Sequence, residues 1–402
     1  MLKLALRNTV RHRARTALTL GVIVSGTAAL VLTGGFVEDV FVQLREATIH
    51  SQLGHIQIFA HGYREHGAAS PYDFLIDRPG EIVSSVADNR DIDIVMARLS
   101  FTGMLNNGRT DLAVIGEGIE PDKEARLGTF VTIVAGRQLA AKDTFGILLG
   151  EGVARATRLA PGDRATILLN TTGGALNTLD FDVVGVFRSF SREYDAHAVR
   201  VTLPAAQDLL RADSVNAIVI ALKDTEATGT VAERVKSKLD PRRYDVRTWR
   251  ELADFYDKTV ALYGRQFAVL EVIILVAVLL SVANSVNMNV YERTGEFGTL
   301  MALGNHASTI FKLVVAENLM LGGTGAIVGG MLGVLIGWLV SAIGIPMPPP
   351  PNSDVGYTAV IRVSLRDVAA AISIGVVATV LAALLPARRV ARMAVVEALR
   401  RN

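Results

Sequence analysis

Four of the chain's seven histidines stand close together: His50, His55, His61 and His66. Grouped imidazoles could hold a metal ion through their neutral nitrogens. No carboxylate pattern accompanies them, and their spacing matches no zinc motif. The alternative is that each is an ordinary histidine, hydrogen-bonded or facing solvent. Glu271 and Glu317 pose a different question, because both sit early in long apolar runs. An ionisable group at membrane depth is a functional candidate by default, although both lie near run ends, within reach of water or a lipid head group. A third set is VYERTGEFGTLMALG, residues 290–304, where Glu292, Arg293 and Glu296 interrupt sequence otherwise fit for lipid. Charges held between two apolar runs suit recognition of a water-soluble partner, and the alternative is a simple interfacial turn.

Other chemistries lack the residues they need. The chain has no cysteine, which excludes disulfides, thiolate metal sites, a cysteine nucleophile and an acylated N-terminal cysteine. No Gly-Lys dipeptide occurs, so there is no phosphate loop of the Walker type. HExxH, GxSxG and a dinucleotide fingerprint after a strand are missing too. Gly150-Glu151-Gly152 lacks a third glycine and reads as a turn. The chain is therefore read as non-catalytic, with no metal or cofactor of its own and no nucleic-acid partner. If it uses energy, another subunit supplies it.

The elements that must position these residues are largely apolar. Half of the 402 residues are apolar (50 %) and 20 % are charged, with a net charge of +2 and a mean hydropathy of +0.36. That is too apolar for a purely soluble chain and too polar for one wholly in the membrane. A helix needs about 20 mostly apolar residues to cross about 30 Å of hydrocarbon. Four runs qualify: 16–36, 267–286, one within 313–345, and 368–385. Any one could be a buried core helix, but four together favour spans. The first has a basic start, as a signal peptide would; it is longer than the usual h-region of about 7–15 residues and is read as an uncleaved anchor.

Lysine and arginine near the span ends set the orientation. Lys3, Arg7, Arg11, Arg13 and Arg15 precede the first run, and Arg388, Arg389, Arg392, Arg400 and Arg401 follow the last, against one Glu397. Both termini are thus placed in the cytoplasm. The resulting plan is an N-terminal amphipathic helix (1–15), a first span with its stalk (16–39) and an extracytoplasmic α+β domain of two lobes (40–265). There follow a second span (266–289), a cytoplasmic helix (290–308), a third span (309–345), an outer loop (346–366), a fourth span (367–386) and a cytoplasmic tail (387–402). In the first of these, Lys3, Arg7, Arg11 and Arg15 make one stripe beside Leu2, Leu6 and Val10, suited to a lipid surface; a merely solvated basic tail is the alternative.

Within the outer domain, 55–60, 110–116, 145–150, 165–170, 181–187, 198–203 and 216–222 read as short strands. Residues 204–212 and 227–239 read as helices. Apolar stripes continue past the first span through Val37, Val40, Phe41, Leu44 and Ala47, and lead into the second through Trp249, Leu252, Phe255, Thr259 and Leu262. Both spans are expected to leave the bilayer as continuous helices. In the third span, Gly325, Gly329, Gly333 and Gly337 recur every four residues on one face. Glycine lowers helix propensity, so four in register favour a close helix–helix seam, against the alternative that glycine is simply common in membrane helices. In the 290–304 segment, Phe297, Leu300 and Met301 share a face, and Gly304-Asn305 suits a helix C-terminus.

These residues carry a resemblance. Glu292-Arg293, Glu296-Phe297-Gly298, Leu300 and Ala302-Leu303-Gly304 resemble the signature of the FtsX-like permeases, the membrane subunits of ABC systems. Pro386-Ala387-Arg388-Arg389-Val390-Ala391-Arg392, followed by Val396-Glu397-Ala398-Leu399-Arg400, resembles that family's C-terminus, and Leu4-Ala5-Leu6-Arg7-Asn8 with Arg11-His12-Arg13 its start. The outer domain resembles the MacB-like periplasmic core domain through Ala135-Gly136-Arg137, Leu149-Gly150-Glu151-Gly152-Val153-Ala154, Pro161-Gly162-Asp163 and Val183-Val184-Gly185-Val186-Phe187. Gly54-His55-Ile56-Gln57-Ile58, with the length and the four spans, looks most like the lipoprotein-releasing (Lol-type) permeases.

The resemblance implies a multi-pass protein of the cell inner membrane with a periplasmic domain. Two permease subunits would pair, the second being the same chain or a homologue, above a dimer of ABC ATPase subunits that holds the ATP and Mg. Glu292, Arg293, Glu296, Phe297, Gly298, Leu300, Leu303 and Gly304 would form the coupling helix. Lipoprotein or lipid cargo would leave the outer leaflet along Phe36, Val40, Phe41, Phe267 and Leu270, with a periplasmic chaperone or adaptor as a further partner. The rival expectation is mechanotransmission, in which the subunit drives an efflux adaptor or a cell-wall hydrolase and transports nothing. A stand-alone membrane enzyme is disfavoured by the missing motifs.

Overall fold

The computed structural model describes residues 13–67, 70, 72–349 and 356–392. The expected amphipathic N-terminal helix, with Lys3, Arg7 and Arg11, and the tail carrying Arg400 and Arg401 lie outside the described residues. Each apolar run of the sequence becomes a helix at least as long as a membrane crossing requires. In chain order the elements are α1 (Arg13–Thr48), β1 (Ile56–Ala60), α2 (Pro79–Ala87), β2 (Ile92–Asn106), β3 (Asp111–Ile119) and α3 (Pro121–Leu127). Then come β4 (Thr132–Gly136), β5 (Gly146–Gly150), α4 (Glu151–Thr157), β6 (Arg164–Asn170), β7 (Leu176–Arg188), β8 (Ala198–Thr202) and α5 (Leu203–Leu210). The chain continues through β9 (Ala217–Leu222), α6 (Thr228–Lys238), β10 (Tyr244–Thr248), α7 (Asp254–Glu292), α8 (Thr294–Ala302), α9 (Ala307–Ile343) and α10 (Leu365–Ala391).

Four of these helices, α1, α7, α9 and α10, are long and apolar enough to cross a membrane. The chain divides into two compact units. The helical unit comprises residues 1–42, 260–346 and 358–402, and the sheet unit 43–259 with 347–357.

The sheet unit is organised around β2, whose two halves belong to two cores. Its first half, Ile92 to Arg98, pairs antiparallel with β9, beyond which lie β1 and β10. This open sheet buries Ile56, Ile58, Ile218 and Ile220 beneath Val231, Ala232 and Val235 of α6. The second half of β2, from Leu99 on, pairs with β3 and then with β6. β3 runs parallel to β8, β8 antiparallel to β5, β5 parallel to β7, and β7 antiparallel to β6. The pairing closes on itself around Leu99, Phe101, Ile147, Leu149, Phe181 and Val183, with Leu209 and Leu210 of α5 packed in. α5 starts there because Thr202 accepts a hydrogen bond from the Ala205 amide and Pro204 needs no donor partner in the first turn. Each fully buried Leu, Ile or Phe contributes about 1.5–3 kcal/mol.

The stripes flanking the sheet unit do not behave alike. α1 stays helical to Thr48 and widens into a π turn, Ile49–Leu53, that stops at Gly54 with φ 66°. On the other side, Trp249–Leu252 forms a separate turn that ends at Ala253 (φ −98°, ψ 58°). The continuous helix into the second span therefore begins at Asp254, later than the stripe from Trp249 suggests. The capping box of Thr248 and Glu251 closes off the short turn, which docks Trp249 and Ala253 against Ile49.

Candidate functional site

The segment that separates the second and third spans is a helix with a single break. α7 ends at Glu292, Arg293 leaves helical geometry (φ −94°, ψ 10°), and α8 begins at once with Thr294. Arg293 stands at the break and anchors it. Its guanidinium donates to both carboxylate oxygens of Glu317 on α9, at 2.6 and 3.2 Å, and to Glu296 at 3.1 Å. It lies 5.0 Å from the ring centre of Phe297. Arg293 and Glu317 are each 6 % exposed, so this pair is shielded from water and salt as surface pairs are not. The intramembrane carboxylate Glu317 thus has its partner in the charged segment itself, while Glu271 stands exposed on α7.

The residues of this segment divide by direction. Arg293, Thr294, Phe297 and Gly298 are buried within the helical unit, and Leu300 is half-buried. Glu292, Glu296, Thr299, Leu303 and Gly304 are exposed, Leu303 at 76 %. α8 ends in a Schellman turn. Gly304, at φ 92°, donates to the Met301 carbonyl at 3.0 Å, and Asn305 to Leu300 at 3.1 Å. Both helix ends are thereby fixed, leaving one short rigid rod with charged and apolar side chains outward.

The glycine face of α9 packs on α1. A Cβ added at Gly325 would meet Ile23 at 2.9 Å, one at Gly329 the Val24 carbonyl oxygen at 2.6 Å, and one at Gly333 Val31 at 2.9 Å. Gly337 lies against Ile361 at 3.2 Å. α10 joins the same packing, since a Cβ at Gly375 would stand 2.6 Å from the Thr27 hydroxyl. α7 touches α1 through Val278 beside Gly26 and a hydrogen bond between Ser285 and Thr19. Its buried residues, Val282, Val286 and Val290, all lie in the half nearer α8. Farther along, Val269, Val272 and Ile273 are 57–61 % exposed. Of the apolar stretch of α7, 6 % is buried, against 28–33 % in the other three helices. Phe267 is half-buried on this open helix and Leu270 exposed; on α1, Phe36, Val40 and Phe41 are half-buried.

At the opposite end of α1 from Arg13, Asp39 is fully buried. One carboxylate oxygen accepts from the Val360 amide at 2.9 Å and the other from Arg362 Nε at 2.8 Å. The Arg362 amide in turn donates to the Gly35 carbonyl at 3.0 Å. Ser341 of α9 accepts from the Ile361 amide at 2.9 Å. The segment leading into α10 is therefore strapped to α1 and α9 together.

In the sheet unit two of the four clustered histidines, His50 and His55, have protein partners on both ring nitrogens, while His61 and His66 are exposed. His55 Nδ1 accepts from the Leu222 amide at 3.2 Å, and its Nε2 lies 3.1 Å from the Thr225 hydroxyl. Burial pushes its pKa down from 6.5 to about 4, so it is neutral at ordinary pH. His50 places Nδ1 3.1 Å from the Leu127 carbonyl and Nε2 3.3 Å from Glu46. His66 stacks on Phe74 instead. Among the described residues no group of three or more His, Cys, Asp or Glu could hold a metal ion.

Sequence reasoning missed a second buried network. Arg98 binds Glu124 through two hydrogen bonds, at 2.7 and 3.1 Å, and donates to the Gln52 carbonyl. Arg200 lies 3.3 Å from Glu117 and 3.6 Å from Glu124 and donates to the Ser51 carbonyl at 3.2 Å. Burial alone would raise the Glu117 carboxyl, but Arg200 and Arg98 hold it below the usual range. Two buried guanidinium groups thus grip the π turn at the end of α1. Lone arginines in strand-like sequence gave no signal, because their carboxylate partners lie far along the chain.

Comparison with known proteins matches two families along the chain. Residues 16–238 match the family described as the MacB-like periplasmic core domain, and residues 268–395 the FtsX-like permease C-terminal family. The lipoprotein-releasing system transmembrane protein LolC of Neisseria meningitidis is 24 % identical over 96 % of this chain and 94 % of that protein. The macrolide export ATP-binding/permease protein MacB of Hyphomonas neptunium is 24 % identical over 87 % of this chain and 55 % of that protein. The periplasmic region of MacB from Actinobacillus actinomycetemcomitans, a solved structure, covers 52 % of this chain and 94 % of that one, with 15 % identity and a TM-score of 0.38.

Proposed function

Because the chain belongs to the ABC transporter permease family that joins a MacB-like periplasmic core domain to an FtsX-like permease C-terminal part, we propose that it couples ATP hydrolysis by a separate ATPase to extraction or release of lipoproteins or lipids from the outer leaflet of the inner membrane. The observation that carries the coupling is α8. It is short, capped at its far end, and fixed at its near end by the pair of Arg293 with Glu317. A push on Glu296 or Leu303 from a docked ATPase would pass into α7 and α9 with little lost to bending. Arg293, Phe297 and Gly298 would then set the posture of the rod, and Glu292, Glu296, Leu303 and the Gly304 end would meet the partner.

The cargo reading rests on the full-length likeness to LolC and on the open apolar face of α7. Phe267 and Leu270 there, with Phe36, Val40 and Phe41 on α1, would wall the path of acyl chains. Mechanotransmission is the second reading, and the relatives of the MacB type fit it equally. In that case α1 would carry motion to a periplasmic partner through the grip of Arg98 and Arg200 on its terminal turn. Both readings place the sheet unit in the periplasm and the termini in the cytoplasm.

The deciding experiment is purification of the complex from native membranes, with mass spectrometry of bound protein and lipid. An ABC ATPase together with lipoprotein or lipid that leaves on ATP addition is the expected result. An ATPase and a periplasmic protein without lipid cargo would establish mechanotransmission instead. A preparation without any ATPase would overturn both.

A further inference from the structure

Between the α8 ends of α7 and α10 lies an open cleft of about 360 Å³, lined by Asn284, Asn287, Tyr291, Thr294, Pro386 and Arg389. Beside the apolar Met288, Val290 and Val390 of its wall stand two amides and a guanidinium. Asn284 and Asn287 are exposed, one helical turn apart on the same open side of α7. Within the helix that would cross the membrane, two amides without partners are costly, because hydrocarbon offers no hydrogen bond in place of water. Across the cleft Arg389 is exposed as well. Among the described residues, the side chains of Asn284, Asn287 and Arg389 have no hydrogen-bond or ion-pair partner. Pro386 removes a backbone donor inside α10, which also frees a carbonyl one turn earlier.

We propose that this cleft binds the phosphate group of an anionic phospholipid of the cytoplasmic leaflet. The guanidinium of Arg389 supplies the charge and a planar fork for phosphate oxygens. The amides of Asn284 and Asn287 supply further donors, and the acyl chains lie along the exposed apolar side of α7. Arg389 stands in the last turn of α10, at the depth where head groups meet water. Thr294, the first residue of α8, forms part of the wall. Bound lipid would therefore brace the joint through which ATPase motion enters, separately from any cargo at the other end of α7. The inference rests on the orientation given above, with α8 in the cytoplasm, but not on the identity of the cargo.

The test uses the purified full-length chain in mild detergent, exchanged into nanodiscs of phosphatidylcholine containing phosphatidylglycerol as the probe. Retained lipid is counted by native mass spectrometry. Wild type should keep phosphatidylglycerol preferentially. Arg389→Ala should reduce its retention by about tenfold or more, the value of one lost charge-assisted contact. Asn287→Leu should reduce it less, and Arg388→Ala, exposed but outside the cleft, should leave it unchanged. Equal retention by Arg389→Ala, or equal loss in Arg388→Ala, would overturn the site and leave only a generally basic surface. Glycerol phosphate in solution should fail to displace the lipid; complete displacement would overturn the lipid assignment in favour of a soluble phosphate ester. Lipid-independent disulfide dimers of Asn287→Cys would show that a second copy covers the cleft, and would also overturn it. None of these readouts involves ATPase or cargo, so failure here leaves the proposed function standing. Cysteine labelling of the termini tests the orientation by itself.

Discussion

Arg293 and Glu317 meet as a two-point ion pair, 2.6 and 3.2 Å between heavy atoms, with both side chains removed from water. Arg293 stands at the break between α7 and α8, and Glu317 lies on the following membrane helix, α9. The pair converts a loop into a fixed joint, and several outcomes depend on it.

Removing one member should cost far more than removing both. Glu317→Ala leaves a buried guanidinium without its main partner, a loss of about 3–5 kcal/mol, whereas Arg293→Met with Glu317→Leu should be close to neutral. Thermal unfolding of the detergent-purified variants measures this. The double variant should nevertheless lose substrate-stimulated ATP hydrolysis in the complex, because stability is restored but the joint is not. Full coupling in the double variant would rule out a role for the pair in transmission.

The glycine seam predicts a contrast between neighbouring positions. Gly329→Ala puts a methyl group 2.6 Å from the Val24 carbonyl oxygen, a backbone atom that cannot turn aside. It should destabilise the helical unit by about 1–3 kcal/mol. Gly323→Ala meets nothing within 4 Å and should be neutral or stabilising by up to about 1 kcal/mol. Equal melting temperatures for the two would remove the seam from the account.

Asp39 holds a backbone amide as well as Arg362. Asp39→Ala should expose the Val360 amide at a cost of about 1–3 kcal/mol and speed hydrogen exchange across 357–363. Asp39→Asn keeps one acceptor and should fall between. Unchanged exchange in Asp39→Ala would mean that Ser341 and the Gly35 carbonyl hold the strap without it.

His55 gives the sheet unit a pH dependence with a defined sign. Its folded pKa of about 4 lies below the ordinary 6.5. Between these values the unfolded chain takes a proton that the folded one resists. Stability should therefore fall as pH drops from 6.5 to 4, by about 3 kcal/mol at most. Trp249, whose amide donates to the His55 carbonyl at 2.9 Å, reports unfolding by fluorescence in a Trp338→Phe background. His55→Gln should remove this part of the slope; an unchanged slope would assign it to other groups.

Topology can be read by thiol labelling, since no native cysteine competes. Asp213→Cys is the outer probe of choice, because its neighbour Ser214 is only 7 % exposed. It should react with an impermeant reagent applied to intact cells after outer-membrane permeabilisation, as should Asn352→Cys. Asn402→Cys should not, and its labelling under those conditions would invert the proposed orientation.

Much of this architecture is legible in the residues, and the exceptions have physical causes. The four spans are plain because lipid demands long uninterrupted apolar runs. Strands such as Ala217–Leu222 are plain because both faces are buried and every residue is apolar. β2 is hidden by Asp93, Arg98 and Gly103, the first at the surface, the second ion-paired inside. β4 and β10 lie at the ends of the strand order and lack a strong pattern. Periodicity could show that Phe297, Leu300 and Met301 share a face. It could not show that Arg293 turns inward to Glu317, because that depends on a helix that begins beyond the segment. Glycine spacing in α9 announced a seam without naming α1 as the other side.

That last partnership has a consequence for how the protein is made. α1 leaves the ribosome before α9, and the face that will receive Gly325, Gly329 and Gly333 lacks those partners until α9 has been synthesised. On the proposed orientation, residues 43–259 of the sheet unit must cross the membrane in the interval. During that time α7 can reach α1 through Val278 and Ser285, but the face that α9 will cover stays open to any other small-residue surface nearby. Assembly of the helical unit is therefore a late event in synthesis. A chain truncated before α9 would present an unmatched helix to the proteases that survey the membrane, whatever the state of its outer domain.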